Sequence, residues 1–374
     1  MTERARKAGE ATPEGIRLRG TSGDMGRVFG RARRAGIATL YEKRLDNALR
    51  QARALGAAQV SERALLELAR ACAEITQRFD PEGFRELEGI AAGCGQPVEE
   101  VLAMNGLTDL RDALAWGAAE AEGCTSVMVP PRASETGAAF AGQTWDLATD
   151  NAPHVLAVAR EPSNAPRTYT VTTEGCLSLM GINDLGVAVG TTNLRTRDAR
   201  PGVPYLSLIH RALRCESAEE AAQQIEGATR AGAHFYYLLD PSGALFALEC
   251  TARRSRRLRL TAAPFVQCNH CQVPAHQSSE ADTPERSSRA RSLRMRSLMV
   301  GRSTLLRAEH LREAFADRDG GPQAICRDDF SGISTNAAVV LEPGVQKLHA
   351  CLGLPDRSPW FEWIGASAAF DVSS

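Results

Sequence analysis

The amino-acid sequence predicts an α+β fold in which sheets pack together and helices lie outside. Two observations carry this reading. Residues 27–123 repeat apolar side chains at three- and four-residue steps, the period of an amphipathic helix. From Cys124 onward the period falls to two or gives way to short apolar runs, with pairs of helices set between groups of them.

Residues 1–26 are charged, and we expect a disordered N-terminal segment there. A helix over 27–55 follows from Ile37, Leu40, Tyr41, Leu45 and Leu49, with Gly56 as its stop. Ser61 caps a second helix. Pro81 opens a third, which Gly93-Cys94-Gly95 breaks, and Pro97 opens a fourth. The strand candidates are 124–129, 138–145, 155–160, 168–173, 177–182 and 187–192. Helices are expected over 205–214 and 218–226, and a hairpin over 235–249 turns at Asp240-Pro241-Ser242-Gly243. Strands over 258–262 and 264–269 lead to a polar loop over 272–286. Helices over 287–302 and 304–316 precede closing strands at 333–341 and 345–352. This divides the chain into a disordered start, a helical region over 27–123 and a core over 124–374.

Composition excludes several classes. Apolar residues are 43% of the chain and net charge is −1, so a core can form and no global field attracts nucleic acid or a membrane. The arginines at 253, 254, 256, 257 and 259 read as the solvated face of a strand. Without a signal peptide or an apolar run long enough to span a bilayer, we expect a cytoplasmic protein with its ten cysteines reduced. Cys268, His270, Cys271 and His276 invite a zinc reading. A structural zinc site takes four ligands, usually as two pairs, and only one CxxC is present, so no metal is expected.

Chemistry centres on Glu122-Gly123-Cys124-Thr125-Ser126, at the change of period. A thiol attacks as thiolate, and its ordinary pKa of about 8.5 calls for a base. His154, the nearest histidine in sequence, sits in an apolar strand and reads as structural. A cysteine freed at its amino end carries its own base, since an α-amine titrates near ~7.7–8.0. That requires a cut between Gly123 and Cys124, and glycine leaves its carbonyl open to the thiol.

The Gly123-Cys124-Thr125-Ser126 stretch, Gly142-Gln143-Thr144-Trp145-Asp146, Asn183-Asp184-Leu185-Gly186-Val187 and Asn269-His270 together resemble the acyl-CoA:6-aminopenicillanic acid acyltransferase family of N-terminal-nucleophile (Ntn) hydrolases. Upstream, residues 88–93 with Met104-Asn105-Gly106 are similar to its pre-cleavage region, and Ser287-Ser288-Arg289 to a helix start downstream. The resemblance implies an αββα four-layer sandwich, autocatalytic cleavage, and α and β chains that stay associated. It makes Cys124 the nucleophile and Asp146 the carboxylate beside the new amino terminus. Asn193 and Asn269 match oxyanion positions, with Leu194 supplying a neighbouring backbone N–H. Gln143, Trp145, Leu194, His270 and Arg289 are expected to contact substrate. One departure stands out. The bile-salt and penicillin V amidases carry arginine where this chain has Gln143, so no cation is expected at that spot.

The leading expectation is therefore a self-activated acyltransferase or amidohydrolase working through a Cys124 thioester. Its substrate is a small acyl amide or acyl-CoA, the latter a co-substrate, and no cofactor is needed. The rivals are a cysteine–histidine hydrolase that is never cut, and an inactive scaffold with the same fold. A homo-oligomer is left open.

Overall fold

The computed structural model describes residues 15–54, 56–57, 60–115, 123–280, 286–300 and 304–364. It begins with β1 (Gly15–Gly20) and continues through α1 (Ser22–Ala32), α2 (Arg34–Ala54), α3 (Glu62–Phe79), α4 (Pro81–Cys94), α5 (Val98–Asn105) and α6 (Leu107–Leu114). Then come β2 (Gly123–Val129), β3 (Phe140–Ala148), β4 (Val155–Pro162), β5 (Thr168–Thr173), β6 (Met180–Asn183) and β7 (Ala188–Leu194). After α7 (Tyr205–Ala212) and α8 (Ala218–Gly227) run β8 (Ala233–Leu239), β9 (Leu245–Cys250), β10 (Ser255–Arg259) and β11 (Phe265–Gln267). The one-turn α9 (Pro274–Gln277), α10 (Arg286–Val300) and α11 (Ala308–Phe315) precede β12 (Ile333–Glu342), β13 (Lys347–Leu352) and β14 (Trp360–Ile364).

The strands form two sheets, ordered β1-β4-β5-β6-β7-β8-β9-β10 and β11-β2-β3-β12-β13-β14. They face each other, β2 and β3 lying against β7. Helices α7 and α8 cover the outside of the larger sheet, and α10 and α11 the outside of the smaller one. The result is a four-layer αββα sandwich. Alternation along β2 serves both of its faces. Met128 joins the core between the sheets, while Val127 and Val129 join a second cluster with Met295, Leu311 and Phe315 under α10 and α11.

The expected disordered start is overturned where the structure describes it. Residues 15–20 are a strand and Ser22 begins α1, capped by Thr21, whose side chain accepts from the Asp24 amide at 3.2 Å. Ile16 and Leu18 are buried, and β1 runs parallel to β4 at the edge of the larger sheet. The segment ahead of the helices therefore adds one strand to the larger sheet. Residues 1–14 lie outside the described residues.

Other boundaries shift for local reasons. The helix expected over 27–55 breaks at Arg33. The fourth helix breaks at Gly106, where a Cβ would stand 2.5 Å from Pro204 Cβ. The loop expected over 272–286 holds α9, tied down by His276 Nδ1 at 2.9 Å from Glu249 Oε1; residues 281–285 lie outside the described residues. The arginine strand is β10, an exposed edge, where charge discourages pairing with other chains.

A buried polar network docks α4 on the core. Arg160 Nε donates to Glu86 Oε1 at 2.7 Å, with the two side chains 2% and 1% exposed. His210 Nε2 stands 3.6 Å from Glu86 Oε2. Removing one partner of such a pair typically costs about 3–5 kcal/mol, because the other charge is left buried and uncompensated.

Candidate active site

The peptide bond between Gly123 and Cys124 begins β2, and the two faces of that strand carry different chemistry. Cys124 and its register partner Trp145 on β3 face the space between the sheets, where both are nearly buried. Gly123, its partner Asp146, and Thr125 face α10.

On the α10 side the central group is Arg291, which is fully buried. Its Nη1 donates to the Cys124 carbonyl and, at 3.0 Å, to Thr125 Oγ1. Its Nη2 donates to Asn269 Oδ1 at 2.9 Å, and its Nε to Ser287 Oγ at 3.2 Å. Asn269 Oδ1 also accepts the backbone N–H of Cys124 at 2.9 Å, while Asn269 Nδ2 donates to the Asn193 carbonyl at 3.0 Å. Asn269 is itself held, its backbone N–H donating to Ser288 Oγ at 2.8 Å. Asp146 is fully buried, accepts from Thr335 Oγ1 at 2.8 Å and pairs with Arg327 Nε at 3.4 Å. A Cβ at position 123 would stand 2.7 Å from Asp146 Oδ2 and 3.3 Å from both Arg291 Nη2 and Arg327 Cζ. A side chain there would have to push the Asp146 carboxylate aside.

On the other side Cys124 lines a cavity of about 70 Å³. Trp145, Thr191, Asn193 and His234 line it from the sheets, Leu179 from the loop ahead of β6, and Asn47, Gln51 and Thr108 from the helical region. Ligand pockets commonly run to about 300–1,000 Å³, so this one is small. The arrangement combines a thiol on a residue preceded by glycine, a side-chain amide on that residue's own nitrogen, and buried guanidinium groups behind it.

Residues 133–357 match the family model described as acyl-coenzyme A:6-aminopenicillanic acid acyl-transferase. The chain belongs to this family. A relative from Emericella nidulans, the 40 kDa form of acyl-coenzyme A:6-aminopenicillanic-acid-acyltransferase, is 26% identical over 303 residues, covering 78% of this chain and 81% of its own. Among solved structures, penicillin V acylase from Agrobacterium tumefaciens is similar at 13% identity and TM-score 0.39, covering 63% of this chain and 85% of its own. A mutant conjugated bile acid hydrolase from Clostridium perfringens is similar at 9% identity and TM-score 0.41, covering 67% of this chain and 100% of its own. The assignment rests on the family match and not on these distant likenesses. The family makes the protein an enzyme of acyl-group chemistry.

The structure brings Cys124, Asp146, Asn193 and Asn269 together, as the sequence suggests, but gives Asn269 a different contact. Its amide N–H₂ is engaged with Asn193, and its oxygen faces the Cys124 nitrogen. Of the expected substrate contacts, Trp145 lines the cavity and four others do not. Gln143 is fully buried and clamps the two sheets, donating to the Thr191 carbonyl at 2.7 Å and accepting the Thr191 N–H at 2.8 Å. Leu194 is a core side chain. Arg289 is exposed on α10. The buried arginines 291 and 327 went unnoticed in the sequence, and they supply the cations that Gln143 does not. Among the described residues, no helix is long and apolar enough to cross a membrane.

His270 is likewise structural, its Nδ1 2.7 Å from Ser288 Oγ. Burial, followed by the nearby Arg289, Arg291 and Arg296, pushes its imidazole down to about 4. The unfolded chain, titrating near ~6.5, then binds a proton between those values that the folded chain refuses. Stability should be fully present above about pH 6.5 and fall as pH drops toward 4, by up to about 3 kcal/mol from this group. Urea unfolding of His270→Asn, which can still reach Ser288, should show a shallower loss over that window. An unchanged slope would rule the residue out as a cause.

Proposed function

We propose that the protein is a precursor that cuts itself between Gly123 and Cys124 and then transfers or hydrolyses acyl groups through Cys124. The single observation that carries this is the backbone nitrogen of Cys124 held by Asn269 Oδ1 at 2.9 Å, with its side chain in the cavity. After a cut that nitrogen becomes an α-amine, positioned beside its own thiol. Among the described residues Asp146 Oδ2 has no hydrogen bond; it is ion-paired with Arg327 and sits against Gly123. Departure of Gly123 would turn that oxygen toward the new ammonium. His154, the histidine nearest in sequence, is held by Glu174 at 2.7 Å and is not among the cavity residues, whereas His234 lines the cavity with its Nε2 2.8 Å from Asp109 Oδ1.

In the reaction the Cys124 Sγ attacks an acyl carbonyl, the Sγ–C bond forms, and the bond to nitrogen or to a thioester sulfur breaks. The leaving group takes the thiol proton by way of the α-amine. Water or an amine then takes the acyl group. The two pieces stay together, because β1 is a strand of the larger sheet and Glu86 is buried against Arg160. Release would also expose several large apolar side chains at about 1.5–3 kcal/mol each. Mass spectrometry after incubation with hexanoyl-CoA or N-hexanoyl glycine should find the acyl group on the peptide that begins at Cys124. An adduct on Cys268 or Cys271, or turnover surviving Cys124→Ala, would move the nucleophile elsewhere.

A further inference from the structure

The helical region contributes more than a cover. Asp109 of α6 reaches across to His234 of β8, its Oδ1 2.8 Å from His234 Nε2, with both side chains 2% exposed. Asp109 Oδ2 accepts the backbone N–H of Tyr205 at 2.9 Å, and the Tyr205 ring stacks on the imidazole with centroids 4.4 Å apart. The backbone is shaped around this contact. A Cβ at Gly232 would stand 2.2 Å from Asp109 Oδ1, so no larger residue lets the carboxylate in. One edge and one face of the ring are therefore fixed.

The other ring nitrogen is not matched. His234 Nδ1 is buried and has no hydrogen-bond partner among the described residues. A carboxylate at Nε2 favours the tautomer with its proton there, which leaves an acceptor lone pair on Nδ1. A buried acceptor without a donor is unfavourable and calls for an explanation. His234 lies directly across from Asn193 in the β7–β8 register. Asn193 in turn accepts from the Asn269 amide that holds the Cys124 nitrogen. His234, Asn193 and Cys124 line the same small cavity.

We propose that His234 Nδ1 accepts a hydrogen bond from the attacking nitrogen of a small primary-amine acceptor, and that Asp109 is the positioning residue that fixes its tautomer. This rests on the acyl-transfer reading and adds the residues that receive and orient the acceptor. The neutral amine turns one N–H to Nδ1 and its lone pair to the thioester carbon. The N–C bond forms, the C–Sγ bond breaks, and the proton lost by nitrogen ends on the Cys124 sulfur, restoring the thiol. The half of the site that selects amine over water then depends on a carboxylate from the piece upstream of the cut.

The experiment uses matured full-length protein, hexanoyl-CoA as donor and glycinamide as amine probe. The burst of free CoA reads acylation, and the ratio of hexanoyl-glycinamide to hexanoate reads acceptor choice. His234→Gln can still donate to Asp109 but loses the acceptor at Nδ1. Its ratio should fall about tenfold, the scale of one lost hydrogen bond, with a raised KM for glycinamide. His234→Asn places an amide oxygen near the Nδ1 position and should retain most of the ratio. Equal losses in both variants, or no loss in His234→Gln, overturn the proposal. Should both variants fail to fold, ¹⁵N NMR of the wild-type histidines decides. The Nε2–H tautomer at His234 with an Nδ1 resonance that moves on adding glycinamide supports it, and a resonance that stays put overturns it. Absence of any CoA burst or Cys124 adduct in the wild type instead sinks the acyl-transfer reading itself.

Discussion

Purified wild-type protein should resolve on a denaturing gel into residues 1–123 and 124–374, while Cys124→Ala remains one chain and neither cuts itself nor turns over. The cut needs a nucleophile on the residue that directly follows the attacked carbonyl, and Cys124 meets this condition for Gly123. Sequencing of the larger piece should begin Cys-Thr-Ser-Val. A subtler variant tests the packing around the bond. In Gly123→Ala the new methyl would stand 2.7 Å from Asp146 Oδ2 and 3.3 Å from Arg291 Nη2, inside a buried ion cluster. Forcing a group into such a site costs about 1–3 kcal/mol, which would slow the cut by roughly ten- to a hundredfold if the strain falls on the scissile geometry. Wild-type protein that stays in one band after long incubation rejects self-cleavage. Gly123→Ala cut at the wild-type rate rejects the steric argument alone.

The front of this site was legible because its signal is local. A change of period, a glycine and a cysteine stand within two residues, and β3 repeats a compact motif ending in Asp146. What the sequence concealed depends on partners far along the chain. α10 carries arginines at 286, 289, 291, 294 and 296, and its apolar pattern is too weak to say which faces inward. Contact with Thr125 and Asn269 selects Arg291, and no spacing rule predicts that. Gln143 looks like a substrate contact until Thr191, on the facing sheet, takes both ends of its amide. β1 is six residues with two inward apolar side chains, and it becomes a strand by pairing with β4 far downstream. In each case the deciding interaction is long-range, whereas periodicity reports local preference.

Arg291→Leu should be the most damaging change on the α10 side. It leaves the Cys124 carbonyl without the guanidinium and removes one of the two donors to Asn269 Oδ1. Asn269 then loses one of the contacts that fix its amide, keeping the one to the Asn193 carbonyl, and its hold on the Cys124 nitrogen loosens. Breaking a buried charged network of this kind typically costs about 3–5 kcal/mol, enough to unfold many domains outright. Arg291→Lys keeps the charge but offers a single ammonium in place of a fork, so it cannot bridge Cys124 and Asn269 with the same geometry. It should fold better than the leucine variant and still cut slowly. Arg289→Leu, two positions away and exposed, should match the wild type in both respects, as surface substitutions generally do. Urea unfolding measures the first effect and gel densitometry the second. If Arg291→Leu is as stable as wild type and cuts at the same rate, the guanidinium is a bystander, and the positioning of Cys124 has to come from Asn269 and its Ser288 anchor alone.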